Sequence, residues 1–153
     1  HHPCEGPGRI SAWADRRGLQ VQVHHIAHGP PSFDAPLAGI VLLGGPASML
    51  DPPDWLIAEL HALRALLSED APCPVLGLCL GAQLLSAALG GAVHRLDLPE
   101  IGWTPVTLGS RALDVLQWHE DSFDLPPGAT PIALGANCLQ GFRRGRVAAL
   151  QFH

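Results

Sequence analysis

Short apolar runs and longer helix-like segments alternate along the first half of the chain. Ile40–Leu43 and Val75–Leu78 are four residues long and almost wholly apolar, which is typical of strands buried on both faces of a parallel sheet. Residues 54–67 place large apolar side chains at helical spacing, and residues 80–89 are mainly leucine and alanine, so each segment predicts a helix. Helices that alternate with apolar strands predict an α/β fold.

The rest of the pattern predicts another helix and a strand-rich second half. Residues 9–17 carry apolar side chains on one helical face, and residues 19–26 alternate apolar with polar side chains as a half-buried strand does. Five further extended segments are predicted at 103–108, 115–119, 131–134, 138–142 and 147–152. The last two flank the turn Arg143-Arg144-Gly145-Arg146 and predict a C-terminal antiparallel hairpin.

Cys79 lies at the junction between an apolar strand and the helix that follows it. Gly77 and Gly81 flank this cysteine, and small neighbours are what a nucleophile on a sharp strand-to-helix turn requires. The helix N-terminus would offer unpaired N–H groups to a thiolate and to a developing oxyanion. An ordinary buried cysteine fits the same pattern, so the junction alone does not separate an enzyme from a structural role.

Composition narrows the class of protein. With 153 residues, 47% apolar and 15% charged, the chain predicts one domain over residues 1–153 with a substantial core. The net charge of −5 argues against a nucleic-acid partner, and no apolar run is long enough for a membrane span. Four scattered cysteines without a C-x-x-C pair argue against a disulfide framework and favour a reducing cytoplasm.

Several histidines and glutamates could in principle bind a metal or act in catalysis, but their positions favour simpler roles. His24, His25 and His28 would point to opposite faces of a strand, so no metal site is predicted there or elsewhere. Glu5 and Glu100 lie in segments rich in proline and glycine, which favours a structural or solvated role over catalysis.

Six segments, taken in order, match the motifs of one family. They are Glu5-Gly6-Pro7-Gly8, Gly44-Gly45-Pro46, Gly77-Leu78-Cys79-Leu80-Gly81-Ala82-Gln83, Pro99-Glu100-Ile101-Gly102-Trp103, Trp118-His119-Glu120-Asp121-Ser122-Phe123 and Leu150-Gln151-Phe152-His153. The chain resembles a class I (triad-type) glutamine amidotransferase domain, of the stand-alone kind similar to the glutaminase part of GMP synthase. The resemblance implies a flavodoxin-like, three-layer α/β/α fold with a mostly parallel sheet, a nucleophile elbow and the C-terminal hairpin.

The implied reaction is hydrolysis of the glutamine side-chain amide through a cysteine thioester, with ammonia released to an acceptor. Cys79 would be the nucleophile and His153 its general base, with no cofactor or metal. The family motif continues beyond its histidine to a glutamate that orients the imidazole, whereas this sequence stops at His153. His1 and His2 resemble the tail of a preceding strand, so we expect a domain trimmed at both ends.

Further site residues follow from the same resemblance. The backbone N–H groups of Gly45 and Leu80 would form the oxyanion hole, and Gln83 would line the glutamine pocket. The backbone around His119 and Glu120 would hold the α-amino and α-carboxylate groups of the substrate. The complete substrate and oxyanion set is Gly44, Gly45, Pro46, Leu80, Gln83, His119 and Glu120.

Three other functions stay open at this stage. The same nucleophile and oxyanion hole would serve a hydrolase that acts on γ-glutamyl peptides or conjugates. A chain without the orienting acid could be a binding or regulatory domain of the same fold. An α/β-hydrolase with a cysteine at its elbow ranks last, because that fold needs more strands ahead of the nucleophile. A synthetase is the partner expected for an ammonia-releasing domain, and the sequence does not fix the oligomeric state.

Overall fold

The computed structural model describes residues 1–25, 29, 36–68 and 71–153. Within them, the helices are α1 (Arg9–Asp15), α2 (Asp54–Leu66) and α3 (Leu80–Ala88). The strands are β1 (Ile40–Leu42), β2 (Val75–Leu78), β3 (Val93–Leu108), β4 (Arg111–Phe123), β5 (Thr130–Leu134), β6 (Leu139–Arg144) and β7 (Val147–Leu150). Every helix and strand predicted from residue 40 onward is present, and β3 and β4 are longer than their predicted segments.

The seven strands form one mixed sheet in the order β1-β2-β7-β6-β5-β3-β4. The pairs β1/β2 and β2/β7 are parallel, and the other four pairs are antiparallel. The antiparallel share is larger than the sequence suggested, because the second half of the chain returns through hairpins instead of crossover helices. The predicted C-terminal hairpin is confirmed as β6 and β7.

Helix α3 packs against the parallel strands β1, β2 and β7, and α2 packs against α3. Nearly all of α3 is buried, including Gln83 and Ser86. The close approach of α3 to the sheet depends on two glycines. A Cβ atom on Gly81 would collide with the carbonyl of Leu42, and one on Gly77 would collide with the carbonyl of Gly81.

The strand predicted at 19–26 is wrong for the part that the structure describes. Residues 19–25 have no regular structure, and Val21 and Val23 are 41% and 48% exposed. Alternation alone cannot form a strand, because a strand needs a neighbour to receive its hydrogen bonds, and none of the described strands pairs with this segment. Ile26 and His28 lie outside the described residues.

The hairpin of β3 and β4 presents two different faces. Glu100 pairs with His119, and both side chains are buried. On the other face Ile101 pairs with Trp118, and these side chains are 64% and 68% exposed. Trp103, on the same strand pair, is 73% exposed, so neither tryptophan belongs to the core.

Candidate functional site

The junction of β2 and α3 is a nucleophile elbow. Cys79 has φ 54° and ψ −112°, and no other described non-glycine residue has a positive φ. A side chain in this region of backbone space is strained, and such strain concentrates at functional sites. The Cys79 N–H donates a hydrogen bond of 2.9 Å to the Leu150 carbonyl, which ties the elbow to β7. The predicted sharp turn at Cys79 is therefore confirmed.

His153 follows β7, next to the strand that carries Cys79. Its N–H donates to the Leu116 carbonyl at 2.9 Å, which anchors the residue to β4. Gly44 follows β1 on the other side of β2. A Cβ atom on Gly44 would lie 3.3 Å from His153 Cε1 and 3.7 Å from Cys79 Sγ. The carboxyl ends of three parallel strands thus bring Gly44, Cys79 and His153 together, as expected where α/β sheets bind ligands.

Burial controls the protonation of the thiol and the imidazole. It raises the pKa of Cys79 to about 11, against a smaller lowering by the Leu80 N–H, and the charge of Glu5 raises it further. Burial also lowers the pKa of His153, which Glu5 opposes and His119 reinforces. At neutral pH the free protein therefore holds a thiol beside a neutral imidazole. At Cys79, desolvation therefore outweighs the stabilisation that the helix N-terminus would give a thiolate.

The loop Gly44-Gly45-Pro46 is oriented by His1. The amino group of His1 donates to the Gly44 carbonyl at 2.6 Å. Because a trans peptide is planar, its N–H points opposite to its carbonyl, so the Gly45 N–H points away from His1. A Cβ atom on Gly45 would lie only 2.7 Å from the Cβ of His1, so this position has room only for glycine.

A buried ion pair that the sequence analysis missed supports this loop. The His1 ring donates from Nδ1 to the Leu43 carbonyl at 2.6 Å and from Nε2 to the Glu59 carboxylate at 2.9 and 3.0 Å. It stacks on Trp55 with ring centroids 5.8 Å apart. Burial lowers the pKa of His1, but Glu59 and the backbone carbonyls raise it by more, so the net shift is upward. One sign of this pair was present in the sequence, which is the position of Glu59 on the otherwise apolar stripe of α2.

Gln83 lies in the first turns of α3 and is 4% exposed. Its Nε2 donates to the Asp121 carbonyl at 3.1 Å and to Gln151 Oε1 at 3.4 Å. These bonds tie the elbow helix to β4 and to the segment that leads into His153. That Gln83 lines the glutamine pocket stays a prediction.

His119 and Glu120 are neighbours on β4 with opposite surroundings. The His119 ring is buried, and burial lowers its pKa although Asp121 and Glu100 oppose the shift. Glu120 is exposed and pairs with Arg95 at 2.8 Å, while the same guanidinium lies 2.6 Å from the buried carboxylate of Asp121. That the backbone at 119–120 holds the ends of the substrate stays a prediction.

The structure also gathers Glu100, His119 and Cys138 into one cluster. A carboxylate oxygen, a ring nitrogen and a thiol sulfur from these residues lie within 4.8 Å of one another. Glu100 is 7% exposed and lies on β3, so the predicted loop and its solvated option are wrong at this position, and the structural option remains. The sequence analysis missed the cluster because its members lie on separate strands and loops. The cluster around His24 can be judged only in part, because His28 is outside the described residues.

Comparison with known proteins places this geometry in a family. The family model for class I glutamine amidotransferases matches residues 10–153. A GMP synthase (glutamine-hydrolysing) of Thermomicrobium roseum is 35% identical over 131 residues, or 75% of this chain and 23% of that protein. A putative glutamine amidotransferase-like protein of Salmonella typhimurium is 30% identical over 158 residues, 90% of this chain and 65% of that protein.

A solved structure gives the same result. A glutamine amidotransferase from Thermotoga maritima superposes with a TM-score of 0.88 at 31% identity, covering all of this chain and 72% of that one. The α/β fold class with its nucleophile elbow is therefore confirmed. This chain spans about a quarter of the GMP synthase and about two thirds of the Salmonella protein. None of its described helices is both long and apolar enough to cross a bilayer. The chain belongs to the class I glutamine amidotransferase family.

Proposed function

We propose that this chain hydrolyses the side-chain amide of glutamine through a thioester on Cys79 and releases ammonia for transfer to an acceptor. The observation that carries the proposal is the elbow itself. Cys79 holds a strained backbone at the end of β2, and both its side chain and the His153 ring approach the same face of Gly44. Nothing in a purely structural cysteine requires that strain or that neighbour.

The first step is proton transfer from Cys79 to His153. Since burial favours both neutral forms, the resting pair is a thiol and an imidazole, and His153 is free to act as a base. The Cys79 sulfur then attacks the amide carbon of glutamine. The proton on His153 passes to the departing nitrogen, so ammonia leaves and a γ-glutamyl thioester remains. Water activated by the same imidazole hydrolyses the thioester, giving glutamate and the free thiol.

Two backbone N–H groups are suited to stabilise the tetrahedral oxyanion. The Leu80 N–H already interacts with the Cys79 sulfur at the start of α3. The Gly45 N–H points away from His1, because the Gly44 carbonyl on the same peptide is held by the His1 amino group. Removal of one such donor from a hydrolase typically costs about 100- to 1,000-fold in rate.

The partner we propose is a synthetase domain or subunit that consumes the ammonia. This rests on the similarity to a GMP synthase, of which the matched part is a minor fraction. Because the mechanism requires Cys79 as a free thiol, we also propose a reducing compartment such as the cytoplasm.

The test is covalent labelling with a glutamine-analogue diazoketone, followed by mass spectrometry of the modified peptide. We expect stoichiometric modification of Cys79 that free glutamine slows, and no modification in Cys79→Ala. Cys73→Ala is the matched control, because Cys73 is also buried but lies in a loop between two prolines. Labelling that glutamine does not slow, or that survives Cys79→Ala, would overturn the proposal.

Substrate preference distinguishes the proposed glutamine hydrolysis from the alternative of a γ-glutamyl hydrolase. Ammonia release from glutamine should exceed amine release from γ-glutamyl dipeptides at equal concentration by at least about tenfold, a transition-state difference of about 1.4 kcal/mol. The reverse preference would leave Cys79 as the proposed nucleophile but would show that the substrate is a γ-glutamyl peptide or conjugate.

A further inference from the structure

Lone-pair atoms converge on one point between β3, β4 and the loop before β6. Glu100 Oε2 lies 3.0 Å from His119 Nε2, and Cys138 Sγ lies 3.5 Å from the same carboxylate oxygen. Gln117 Oε1 also lies 3.0 Å from His119 Nε2. Glu100 and His119 are each 7% exposed, and the half-buried Cys138 forms the side of the cluster nearer to solvent.

The orientation of the amides follows from the carboxylate. Gln140 must turn its Nε2 toward Glu100, 2.7 Å away, because a carboxylate only accepts. Its Oε1 therefore accepts from Gln117 Nε2 at 2.8 Å, which leaves Gln117 Oε1 facing His119. His119 Nδ1 lies 3.0 Å from the Asp121 carbonyl and must donate to it. In the neutral ring, the Nε2 lone pair then faces two oxygen atoms and has no donor.

We propose that Glu100, His119 and Cys138 form a binding site for a divalent metal ion of the Zn²⁺ class. A carboxylate oxygen, an imidazole nitrogen and a thiolate are ligands that Zn²⁺ accepts together. Their ligand atoms already lie within 4.8 Å of one another, so small side-chain movements suffice to close on one ion. Gln117 Oε1 offers a fourth, neutral ligand.

Hydrogen bonds to groups outside the cluster support each of the three ligands. Asn137 Nδ2 donates to Glu100 Oε1 at 2.9 Å, and Gln140 Nε2 contacts both Glu100 at 2.7 Å and Cys138 Sγ at 3.3 Å. The bond from His119 Nδ1 to a backbone carbonyl is the contact that fixes the ring of a metal-bound histidine. The pattern is that of a metal centre with its outer hydrogen bonds in place.

Charge balance favours a divalent ion. Binding displaces the Cys138 proton, so one carboxylate and one thiolate neutralise the two positive charges of the ion in a buried site. The ion would tie β3, β4 and the loop before β6 together. This structural role of the metal does not depend on the proposed hydrolysis.

The test is titration with Co²⁺, a spectroscopic substitute for Zn²⁺, watched through the sulfur-to-cobalt charge-transfer band in the near ultraviolet. The parent protein for this experiment carries Cys79→Ala, so that the thiol of the elbow cannot contribute. We expect one Co²⁺ per chain with that band, and its displacement by Zn²⁺. Absence of the band would overturn the proposal and would show that the cluster is only a buried hydrogen-bond network.

Two variants locate the ligands. Cys138→Ala in the parent should abolish the band, whereas the matched change Cys73→Ala should leave it unaltered. Glu100→Gln keeps the size of the side chain and should weaken Co²⁺ binding at least tenfold, with circular dichroism as the check that each variant is folded. A band that survives Cys138→Ala would assign the thiolate elsewhere and overturn the site. The readout is independent of glutamine, so its failure would leave the proposed hydrolysis untouched.

Discussion

Cys79 and His153 meet across a single glycine: a Cβ atom on Gly44 would lie 3.3 Å from both Cys79 Cβ and His153 Cε1. Such contacts are slightly too short, so a methyl group there must push the thiol and the imidazole apart by a few tenths of an ångström. We expect Gly44→Ala to fold, with a loss of about 1–2 kcal/mol in unfolding free energy. Diazoketone labelling of Cys79 should slow at least about tenfold, because reactivity depends steeply on the geometry of the pair.

The matched control for this change is Gly6→Ala. A Cβ atom on Gly6 would have no neighbour within 4 Å, and Gly6 does not have a positive φ. Its labelling rate should equal that of the unmodified protein. Equal rates in Gly44→Ala as well would contradict the packing of Cys79 and His153 around this residue.

The close contact of α3 with the sheet gives a prediction about stability. A Cβ atom on Gly81 would collide with backbone atoms of Leu42, which cannot swing aside as a flexible side chain can. Gly81→Ala should therefore cost at least about 3 kcal/mol or prevent folding, since overpacking of a rigid core forces backbone shifts. Urea unfolding is the measurement. Gly6→Ala is the control, and its unfolding free energy should stay within about 1 kcal/mol of that of the unmodified protein. A loss of less than about 1 kcal/mol in Gly81→Ala would contradict the close packing of α3 on the sheet.

The elbow could be predicted from sequence because its signals are local. An apolar run, two glycines and an alanine-leucine helix all lie within 75–89, and the strand and helix bounds there agree closely with the structure. The segment 19–25 has an equally regular pattern, but none of the described strands pairs with it. Local pattern thus suffices where packing is local, and it fails where a distant partner decides the conformation.

Contacts between buried polar groups could not be predicted from the sequence for the same reason. His1 and Glu59 are 58 residues apart, and Glu100 meets His119 only through the register of β3 and β4. No periodicity marks such pairs, because a hydrogen bond between distant segments leaves no spacing in the sequence. The carboxylate of Glu59 on an apolar helix stripe was the one local sign. Resemblance to a family supplied His153, which pattern alone could not have connected to Cys79.

The His1–Glu59 pair predicts a pH-dependent stability. The folded-state pKa of His1 lies above the 6.5 of the unfolded chain, so the stabilisation is complete below pH 6.5 and is lost as the pH rises through the folded-state value. Glu59→Gln should therefore lower the unfolding free energy most near pH 6, by about 2 kcal/mol, and less near pH 9. Asp97→Asn, on an exposed part of β3, is the control. A loss that is the same at both pH values would argue against a charged His1.

Glu5 gives a prediction about catalysis. Its carboxylate raises the pKa of His153 and also that of Cys79, although Glu5 itself is exposed. Because the proposed base must be neutral to accept the thiol proton, kcat/KM for glutamine should fall on the acidic side as His153 becomes protonated. Glu5→Gln removes the charge that favours the imidazolium, so the acidic limb of the profile should move to lower pH. Asp97→Asn removes an equal charge from an exposed residue on β3 and should leave the limb in place. An acidic limb that moves to higher pH in Glu5→Gln, or that moves equally in both variants, would show that the titrating group is not the imidazole beside Cys79.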